Sequence, residues 1–561
     1  MDKLQIVAIA LAVALLAGSL LFRPTPPPPA PEPPRAEEAA PPAVPTAPAT
    51  PHAMMQENET VTQGGTPEQV LTLHNDAVEV GVSSVGARVG EVDLLQYPAT
   101  IDRDSGPVQL QTSEHRGTMF LFLGPEPLRS LEAAPCQVVS SNPHKVELRA
   151  ERDGVSVTRT LELDDAGYGG LFTVHIQNAG REAVHHKLDL VLYGHDRAVT
   201  APDHFPKYSL VASVDGAVKR TPIQGISSTG LVGTLLGRGA PTGTPYPAPV
   251  DWVGVDSQYF LLAALPQNAA DASAFLGPTG VDSGQAALGL QPFDVPPGTG
   301  IERSYRLYFG PKIEATVAAV DPRLSRGIDM GWSFVKPLVS VFAAMLHWTH
   351  DHIVPNYGVA IILLTILVRV VAFPLTQRSM KSMKKVSALA PQMKEIQEKY
   401  ANDREKMQQE LMKLYSQKVA NPLTPLAGGC LPMLIQMPVM FGLYYALQSS
   451  IDLRHAPFAL WIRDLSAPEN FFSVAGVPIR LLPLLMGGSM FLQQRLSPAP
   501  NADPQQRQMM TLMSVMFTFM FYQFPSGLVL YWFVSNLLGI GQQLLVNRAP
   551  ATATAPSERT A

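Results

Sequence analysis

A single arginine stands inside a long apolar run of this chain. Arg369 is the only charged residue in the run NYGVAIILLTILVRVVAFP, which extends from Asn356 to Pro374. A guanidinium that faced lipid at the centre of a bilayer would cost about 2.5 to 3.5 kcal/mol on insertion scales. We therefore expect Arg369 to face a protein-lined, water-accessible cavity within a membrane, and a membrane function is the leading hypothesis.

The composition indicates two environments in one chain. The 561 residues are 46% hydrophobic, with a mean hydropathy of +0.08. The longest apolar segments lie in the first 22 and the last 210 positions. A net charge of −5 without a basic tract does not indicate a nucleic-acid partner. The two cysteines, Cys136 and Cys430, indicate neither a disulfide framework nor a Cys-based metal site.

The N-terminal segment, residues 1–23, is predicted to be a transmembrane signal anchor. Leu4 to Phe22 is almost entirely apolar and follows Lys3, and it is long enough to cross a hydrocarbon core of roughly 30 Å. The alternative is a cleaved signal peptide, which usually has a shorter apolar core and a small-x-small cleavage site. Residues 24–54 are rich in Pro and Ala, and we expect an extended linker there.

Residues 55–325 are predicted to form a large β-sandwich. Many apolar residues alternate with polar ones, as in a strand with one buried face: Val78, Val80, Val82, Val146, Leu148, Val155, Val157, Leu161, Leu163, Phe172, Val174, Ile176, Leu188, Leu190 and Leu192. Asp153-Gly154 separates two such runs and predicts a two-residue hairpin turn.

The histidines of this domain could suggest a metal site or a sugar-isomerase site. They are His175, His185, His186, His195 and His204. None has clear ligand spacing, so we expect scattered, solvated side chains. We find no nucleophile or acid pair either, and we expect no enzymatic chemistry, no cofactor and no metal.

Residues 326–354 are predicted to form an amphipathic helix on the membrane surface. The apolar positions have helical spacing: Trp332, Phe334, Val335, Leu338, Val341, Phe342, Met345 and Leu346. His347, His350 and His352 could be a metal cluster, but beside Trp348 we favour ordinary interfacial residues.

The C-terminal apolar region, residues 355–547, contains the Arg369 run and four further apolar segments. These are approximately 426–447, 477–492, 509–524 and 528–546. With the N-terminal anchor they give six predicted spans. An even number of spans places both termini on one side of the membrane.

Positive charge predicts which side that is. Between Thr376 and Asn421 there are ten Lys or Arg residues against five acidic ones, and short basic loops stay in the cytoplasm. We expect both termini and the short tail 548–561 in the cytoplasm, and the β domain outside, in the periplasm of a two-membrane cell. Residues 378–420 show helical apolar spacing, with an N-cap and capping-box partner predicted at Asn402 to Glu405. We interpret them as a cytoplasmic helical hairpin, the alternative being a merely solvated basic loop.

Several polar residues lie in the predicted spans. They are Thr365, Gln436, Ser535, Asn536, Gln542 and Gln543. In hydrocarbon each requires a partner or water, so several facing inward would form a wet groove. Hydrogen bonds between helices are the alternative, especially for Ser535 and Asn536. No Asp or Glu in a predicted span is available to neutralise Arg369.

Long motifs across the chain resemble one family. They are TILVRVVAFPLTQRSM around Arg369, NPLTPLAGGCLPMLIQMPVMFGLYYAL from Asn421, APFALWIRDLSAPE from Ala456 and FPSGLVLYWFVSNLL from Phe524. These resemble the YidC/Oxa/Alb membrane protein insertases. WVGVDSQYF from Trp252 and YFGPK from Tyr308 are similar to the external domain of the Gram-negative YidC branch. One departure is the extra TPLA between Leu423 and Gly428.

The resemblance implies an insertase of the cell inner membrane that inserts and folds integral membrane proteins. Its five-helix core would enclose a hydrophilic groove open to the cytoplasm and to lipid, below a periplasmic β-super-sandwich of the sugar-mutarotase type. By position, the groove residues would be Arg369, Thr365, Gln436, Met437, Pro438, Met440, Tyr531, Trp532, Ser535 and Asn536. The basic residues of the hairpin are Lys384, Lys385, Lys394 and Lys399.

The partners implied are newly made membrane proteins, the Sec translocon, membrane lipids and the ribosome. Two other functions stay open on the residues alone. A solute or lipid transporter could use the same polar groove, although no inverted repeat is evident. An enzyme carried by the β domain would require a catalytic constellation that we do not find.

Overall fold

A computed structural model describes the chain over residues 68–102, 104–110, 117–195, 208–223, 243–280, 283–401, 403–418, 431–474, 477–496 and 504–548. The predicted anchor, the linker, His204, the TPLA insertion, Cys430 and the tail beyond Arg548 lie outside these ranges. The chain divides into two compact units between Asp329 and Met330, against a predicted boundary at residue 325.

The first unit is built from antiparallel strands and two short helices. In chain order these are β1 (Val70–His74), β2 (Val78–Ser83), β3 (Val89–Pro98), β4 (Pro107–Gln109), β5 (Met119–Phe122), α1 (Arg129–Glu132), β6 (Gln137–Ser141), β7 (Lys145–Arg152), β8 (Val155–Leu163), β9 (Gly169–Asn178), β10 (Val184–His186), β11 (Asp189–His195), β12 (Ser209–Val214), β13 (Ala217–Pro222), β14 (Thr244–Tyr246), β15 (Val250–Asp256), β16 (Phe260–Pro266), β17 (Ala272–Pro278), β18 (Ser283–Leu290), β19 (Phe293–Val295), β20 (Gly300–Pro311) and α2 (Glu314–Val320).

Two nine-stranded sheets form the sandwich. One has the order β1-β2-β3-β5-β11-β18-β17-β14, with β4 added beside β3. The other has the order β13-β12-β15-β16-β20-β9-β8-β7-β6, and β10 and β19 form a separate pair. Strands β12 and β15 lie against β17 and β18. The predicted large β-sandwich is therefore confirmed.

The alternating pattern places the apolar side chains in the core, as predicted. Val80, Leu148 and Leu190 are fully buried, because successive side chains of a strand point to opposite faces and one face meets the other sheet. The predicted turn joins β7 to β8, and both Asp153 and Gly154 have positive φ, 52° and 79°. This is the backbone conformation that a type I′ hairpin requires.

The histidines are not all solvated, which corrects one expectation. His186 on β10 is 1% exposed, and its ring meets the Phe293 ring edge-on at 4.2 Å. Burial lowers the pKa of His186 to about 4, and the positive Arg303 acts in the same direction. His185, the next residue outward, is exposed and pairs with Asp294. The alternation of β10 explains the difference, since neighbouring residues face opposite sides.

The second unit is helical. Its elements are α3 (Lys336–His352), α4 (Tyr357–Ala388), α5 (Ala390–Lys399), α6 (Arg404–Lys418), α7 (Leu431–Ser449), β21 (Phe472–Val474), β22 (Val477–Ile479), α8 (Leu481–Leu496), α9 (Pro504–Phe521) and α10 (Ser526–Arg548). Helix α10 packs against α8, α4 and α7, while α3 packs against α7 and α4.

The predicted surface helix, α3, has apolar residues on two faces rather than one. Val339, Phe342 and Leu346 are buried against the bundle, whereas Val341 and Trp348 are more than half exposed. Gly442 lets α7 approach closely, because a Cβ there would lie 2.9 Å from Leu338. The inward stripe fixes α3 to the bundle, and the outward stripe is the one that is free to meet a membrane.

The basic segment contains helices that differ in detail from the predicted hairpin. Helix α4 continues through Pro374 to Ala388, so its basic end is an extension of the Arg369 helix. Helices α5 and α6 pack against each other. The backbone N–H of Lys406 donates to Asp403 Oδ1 at 3.1 Å, which makes Asp403 the N-cap of α6 in the described residues. The prediction of a capping box from Asn402 to Glu405 is wrong by one residue, because Lys406 occupies the N3 position.

Two described helices are long and apolar enough to cross a membrane. These are the Tyr357–Pro374 part of α4 and the Ser526–Leu545 part of α10. The predicted count of six spans stays a prediction.

Candidate functional site

Arg369 docks on helix α10 through one neutral residue. Its Nε donates to Ser535 Oγ at 3.2 Å, and its Nη2 donates to Ser535 Oγ at 2.7 Å and to the Ser535 carbonyl at 2.8 Å. No described carboxylate lies within ion-pair distance of the guanidinium. Its positive charge is therefore hydrogen-bonded but not neutralised by the described residues.

The way that α10 presents Ser535 explains this geometry. A helical carbonyl faces the N–H four residues later, so the Ser535 carbonyl lies beside Gly539. A Cβ at Gly539 would lie 3.6 Å from Arg369 Nη2 and 2.8 Å from Gln493 Nε2. The missing side chain leaves room for the guanidinium and for the amide of Gln493, which α8 contributes.

A second polar contact lies one turn before Ser535 on α10. Gln436 on α7 donates from Nε2 to the hydroxyl of Tyr531 at 3.3 Å. Tyr531 is 2% exposed, while Gln436 is half-buried. Residues four apart lie on one face of a helix, so Tyr531 and Ser535 direct two of the predicted groove contacts toward α7 and α4.

A third contact joins α10 to α4 about two turns beyond Arg369. Gln542 Nε2 donates to Thr376 Oγ1 at 2.7 Å. Together the three contacts form a polar strip along α10, which we define as Tyr531, Ser535 and Gln542 with their partners Gln436, Arg369 and Thr376. The strip collects polar groups from α4, α7 and α10.

Two predicted groove residues bond elsewhere. Thr365 is 1% exposed, and its hydroxyl donates to the Ile361 carbonyl of its own helix at 2.6 Å. Asn536 donates to Ser489 on α8 at 3.1 Å. Both Asn536 and Ser535 therefore make hydrogen bonds between helices, Asn536 to Ser489 on α8 and Ser535 to Arg369 on α4.

The remaining predicted groove residues line the bundle without touching Arg369 in a described hydrogen bond. The Trp532 ring packs on Phe521 of α9 with a centroid distance of 4.3 Å. Met437 is 36% exposed, Met440 is half-buried, and Pro438 lies inside α7. They supply apolar surface rather than hydrogen bonds.

The hairpin lysines are separate from this strip. Lys394 pairs with Glu398 at 3.7 Å with both side chains largely exposed, and Lys399 lies over the Tyr400 ring at 5.6 Å. The side chains of Lys384 and Lys385 lie outside the described residues. Exposed pairs of this kind contribute little stability.

Sequence reasoning missed Gln493, Ser489 and Thr376. Ser489 lies in the predicted apolar segment 477–492 and Gln493 directly follows it, and four-residue spacing places both on one face of α8. That spacing is the available signal. Thr376 follows two residues after Pro374, and nothing in the sequence marks it as a partner of Gln542.

The segment between α7 and α8 is tied to the bundle by buried charges. Arg480, 6% exposed, donates to the Tyr522 carbonyl, and its backbone N–H donates to the Tyr522 hydroxyl at 3.1 Å. Glu469 accepts the backbone N–H of Leu482 at 2.6 Å. Among the described residues, no group of three or more His, Cys, Asp or Glu side chains is arranged to hold a metal ion.

Comparison with known proteins assigns both units to one group. Residues 348–553 match the family model of the 60Kd inner membrane protein, and residues 70–348 match that of the YidC periplasmic domain. A membrane protein insertase YidC from Syntrophobacter fumaroxidans is 35% identical over 507 residues, covering 86% of each chain. One from Geotalea daltonii is 32% identical over 565 residues, covering 98% of this chain and 99% of its own.

Solved structures give weaker likenesses. A crystal structure of an active YidC insertase is 18% identical and covers 85% of this chain and 92% of its own, with a TM-score of 0.34. A putative aldose 1-epimerase from Escherichia coli K12 is 11% identical and covers 43% of this chain and 99% of its own, with a TM-score of 0.30.

Proposed function

We propose that this chain, which belongs to the YidC family of membrane protein insertases, inserts and folds integral membrane proteins in the cell inner membrane. The observation that carries the proposal is the polar strip, in which Arg369 bonds only to Ser535 among the described residues. A membrane-embedded cation without a carboxylate partner is suited to receive an anionic group from another molecule.

The charge of Arg369 supplies the electrostatic part of the mechanism. A substrate with a short acidic outer segment must carry carboxylates through hydrocarbon, at a cost of about 2.5 to 3.5 kcal/mol for a central Asp. Beside Arg369, and with water in the groove, such a carboxylate has a charged hydrogen-bond donor instead. Hydrogen bonds to charged groups contribute about 1.5 to 3 kcal/mol, which is comparable to the cost that they offset.

The apolar part of the substrate supplies the driving force. The face of α4 around Arg369 is apolar and open, with Val370 62% and Val371 61% exposed. A substrate helix can slide along this surface into lipid and gain about 25 cal/mol per Å² of apolar area removed from water. The sequence contains no P-loop, and we propose that insertion proceeds without a nucleotide, a cofactor or covalent chemistry.

The topology of the proposal follows the charge of the hairpin. We propose six spans, with both termini and the hairpin 378–420 in the cytoplasm and the β domain 55–325 in the periplasm. The ten Lys or Arg residues between Thr376 and Asn421 support this orientation. The hairpin also offers helical surface and lysines to the Sec translocon, the ribosome and anionic lipid headgroups, which we propose as further partners.

Reconstitution of the purified chain tests the proposal. The full chain would be placed in liposomes, and protease-protected insertion of a small single-span protein with an acidic outer tail would be measured. Insertion above that of empty liposomes supports an autonomous insertase. Its absence, beside an active control insertase, would contradict autonomous insertion and direct attention to an obligate Sec accessory or a transporter.

Replacing Arg369 separates the electrostatic part from the rest. Arg369→Ala should weaken insertion most for substrates with acidic outer segments, by about tenfold or more if one charged hydrogen bond is lost. A substrate with a neutral outer segment is the matched control. Equal loss for both substrates would contradict the role of the charge.

A further inference from the structure

Leu460 occupies a backbone position that favours glycine and holds its side chain almost fully exposed. Its φ is +57° and its side chain is 89% exposed. The Ile462 N–H donates to the Ala459 carbonyl at 3.1 Å, and the Phe458 N–H donates to the Ile462 carbonyl at 3.0 Å. Leu460 is thus the first central residue of a tight turn with positive φ there, where Gly, Asn or Asp is usual.

The residues on either side of Leu460 are firmly held. Ile462 is buried, and Phe458 and Trp461 pack against the helical core. Asn356, at the start of α4, donates to the Phe458 carbonyl at 2.9 Å. The turn is therefore fixed to the bundle, and the Leu460 side chain projects from it. A strained, exposed leucine in a rigid turn is an observation from which a function is to be inferred.

The same segment exposes a connected set of apolar side chains. The Trp461 ring meets Phe471 at 5.0 Å, and Phe471 meets Phe472 at 5.4 Å. Exposed fractions are 45% for Phe471, 49% for Phe472, 54% for Val474 and 58% for Val477. We call Leu460, Phe471, Phe472, Val474 and Val477 the apolar rim.

The charged residues of this segment have the reverse arrangement. Glu469 and Arg480 are buried, and Asp464 accepts the N–H groups of His455 and Ser466 at 3.2 and 2.7 Å. Between Ala459 and Arg480 only Arg463 presents its charge outward. In a loop that faces water, acidic side chains are expected outside and leucine and phenylalanine inside. This segment has the reverse arrangement.

We infer that the apolar rim is a lipid-contact surface, which seats the segment between α7 and α8 in the interfacial region of the bilayer. Lipid is the occupant because the segment leads directly into α8, where Leu484, Leu485 and Leu492 are 48%, 41% and 50% exposed, and because aromatic side chains favour the membrane–water interface. Leu460 then leaves water, which removes the cost of its exposure. The rim anchors the end of the bundle at which the polar strip stops.

Depth-dependent quenching tests this inference without using insertion activity. In the full chain, Cys136 and Cys430 would be replaced by Ser, and Leu460→Cys would be labelled with an environment-sensitive fluorophore. The chain would be placed in phosphatidylethanolamine/phosphatidylglycerol vesicles that carry nitroxide-labelled lipid. Arg463→Cys, labelled in the same way, is the matched control in the same turn region.

The inference expects a blue-shifted emission at position 460, with quenching by nitroxide lipid and protection from iodide, and the opposite behaviour at position 463. Equal access of iodide to both positions would overturn it. Protection from iodide without nitroxide quenching would also overturn it, since protein rather than lipid would then cover Leu460.

A second pair of variants keeps the turn intact. Leu460→Gly relieves the positive φ and removes the side chain, whereas Leu460→Met retains an apolar side chain. With a label at Phe472→Cys, the Gly variant should lose nitroxide quenching and gain iodide access, and the Met variant should resemble the parent. Unchanged quenching in the Gly variant would show that Leu460 does not seat the rim.

Discussion

Two arginines, one in each unit, are withdrawn from bulk water in different ways. Arg159 on β8 is 1% exposed, donates to the Leu131 carbonyl at 2.8 Å and interacts electrostatically with Glu132. Arg369 on α4 is only half-buried and bonds to Ser535, a neutral residue. Enclosure with a nearby carboxylate makes Arg159 a part of the folded core. Arg369 is partly exposed, and no described carboxylate neutralises its charge.

The largest expected effect concerns the enclosed arginine. Arg159→Met leaves the buried Leu131 carbonyl without its charged hydrogen-bond donor, and such a loss costs about 1 to 3 kcal/mol. Denaturant unfolding of the full chain, followed by fluorescence, should show this loss in the β domain. Arg149→Met, on the neighbouring strand and largely exposed, is the control and should change stability by about 0.5 kcal/mol or less. The comparison fails if Arg369→Met destabilises its own unit as strongly as Arg159→Met does the β domain.

Arg159 is an example of a feature that could be predicted from the sequence, whereas the contact of Arg369 could not. It falls in phase with Val155, Val157, Leu161 and Leu163, all buried on β8, so the alternation that predicted the sandwich also marked an inward arginine. The Asp153-Gly154 turn was predictable because its chemistry is local. The bond from Arg369 to Ser535 was not, because the two residues are 166 positions apart and only the packing of α4 on α10 joins them.

The predictions that failed at single residues did so for local reasons. His186 was expected in solvent, because a three-residue strand gives too short a pattern to show which side is buried. The N-cap of α6 was displaced by one residue, since Asn402 and Asp403 are both good caps and the helix start selects between them. Gln493 was overlooked because its importance depends on the space beside Gly539, which is a property of two packed helices.

The buried His186 on β10 should make the stability of the β domain depend on pH. The pKa of His186 is lowered to about 4 from its usual 6.5, so the unfolded chain binds the proton more readily than the folded one. Stability is unaffected above about pH 6.5 and falls as the pH decreases from there toward 4, by up to about 1.4 kcal/mol per pH unit. His186→Gln should flatten this part of the unfolding profile of the β domain. His185→Gln, on the exposed face, is the matched substitution control, and a flat profile in the parent chain would refute the assignment.

Two glycines on α10 sharpen the account of the Arg369 side. A Cβ at Gly539 would lie 2.8 Å from Gln493 Nε2, whereas a Cβ at Gly541 would have nothing within 4 Å. Both Gly→Ala changes favour the helix by about 1 kcal/mol. Gly539→Ala should nevertheless reduce insertion of an acidic-tailed substrate by about fivefold, from roughly 1 kcal/mol of displaced packing, and Gln493→Ala in the same chain should restore part of it. Gly541→Ala should insert normally, and equal loss in both variants would point to helix rigidity instead.

The smallest effect is expected at the His347–Asp452 pair. His347 Nε2 contacts Asp452 at 2.5 Å and its Nδ1 contacts the Ala343 carbonyl at 2.7 Å. Both partners are acceptors, so both ring nitrogens carry protons. The hydrogen bond to Asp452 raises the pKa of His347 to about 9 and lowers that of Asp452.

The pH dependence of stability follows from these two pKa shifts. The contribution of His347 is complete below about pH 6.5 and is lost as the pH rises through about 9, while that of Asp452 is lost as the pH falls below 3.8. Because the side chains of His347 and Asp452 are 43% and 39% exposed, solvent screens the pair, and His347→Gln should cost only about 0.2 to 1 kcal/mol near neutral pH. Thermal unfolding across this range measures the loss. His352→Gln is the control, and a cost that persists unchanged above pH 9 would contradict the ion pair.

The most direct test of the central claim reverses the charge of Arg369 and of the substrate together. Protease-protected insertion would be measured in liposomes for the parent chain and Arg369→Glu, each with an acidic-tailed and a basic-tailed version of one single-span protein. The account predicts that the parent favours the acidic tail and that Arg369→Glu shifts the preference toward the basic tail. A parallel fall for both tails, with no change in preference, would contradict the claim that the unpaired charge receives the substrate.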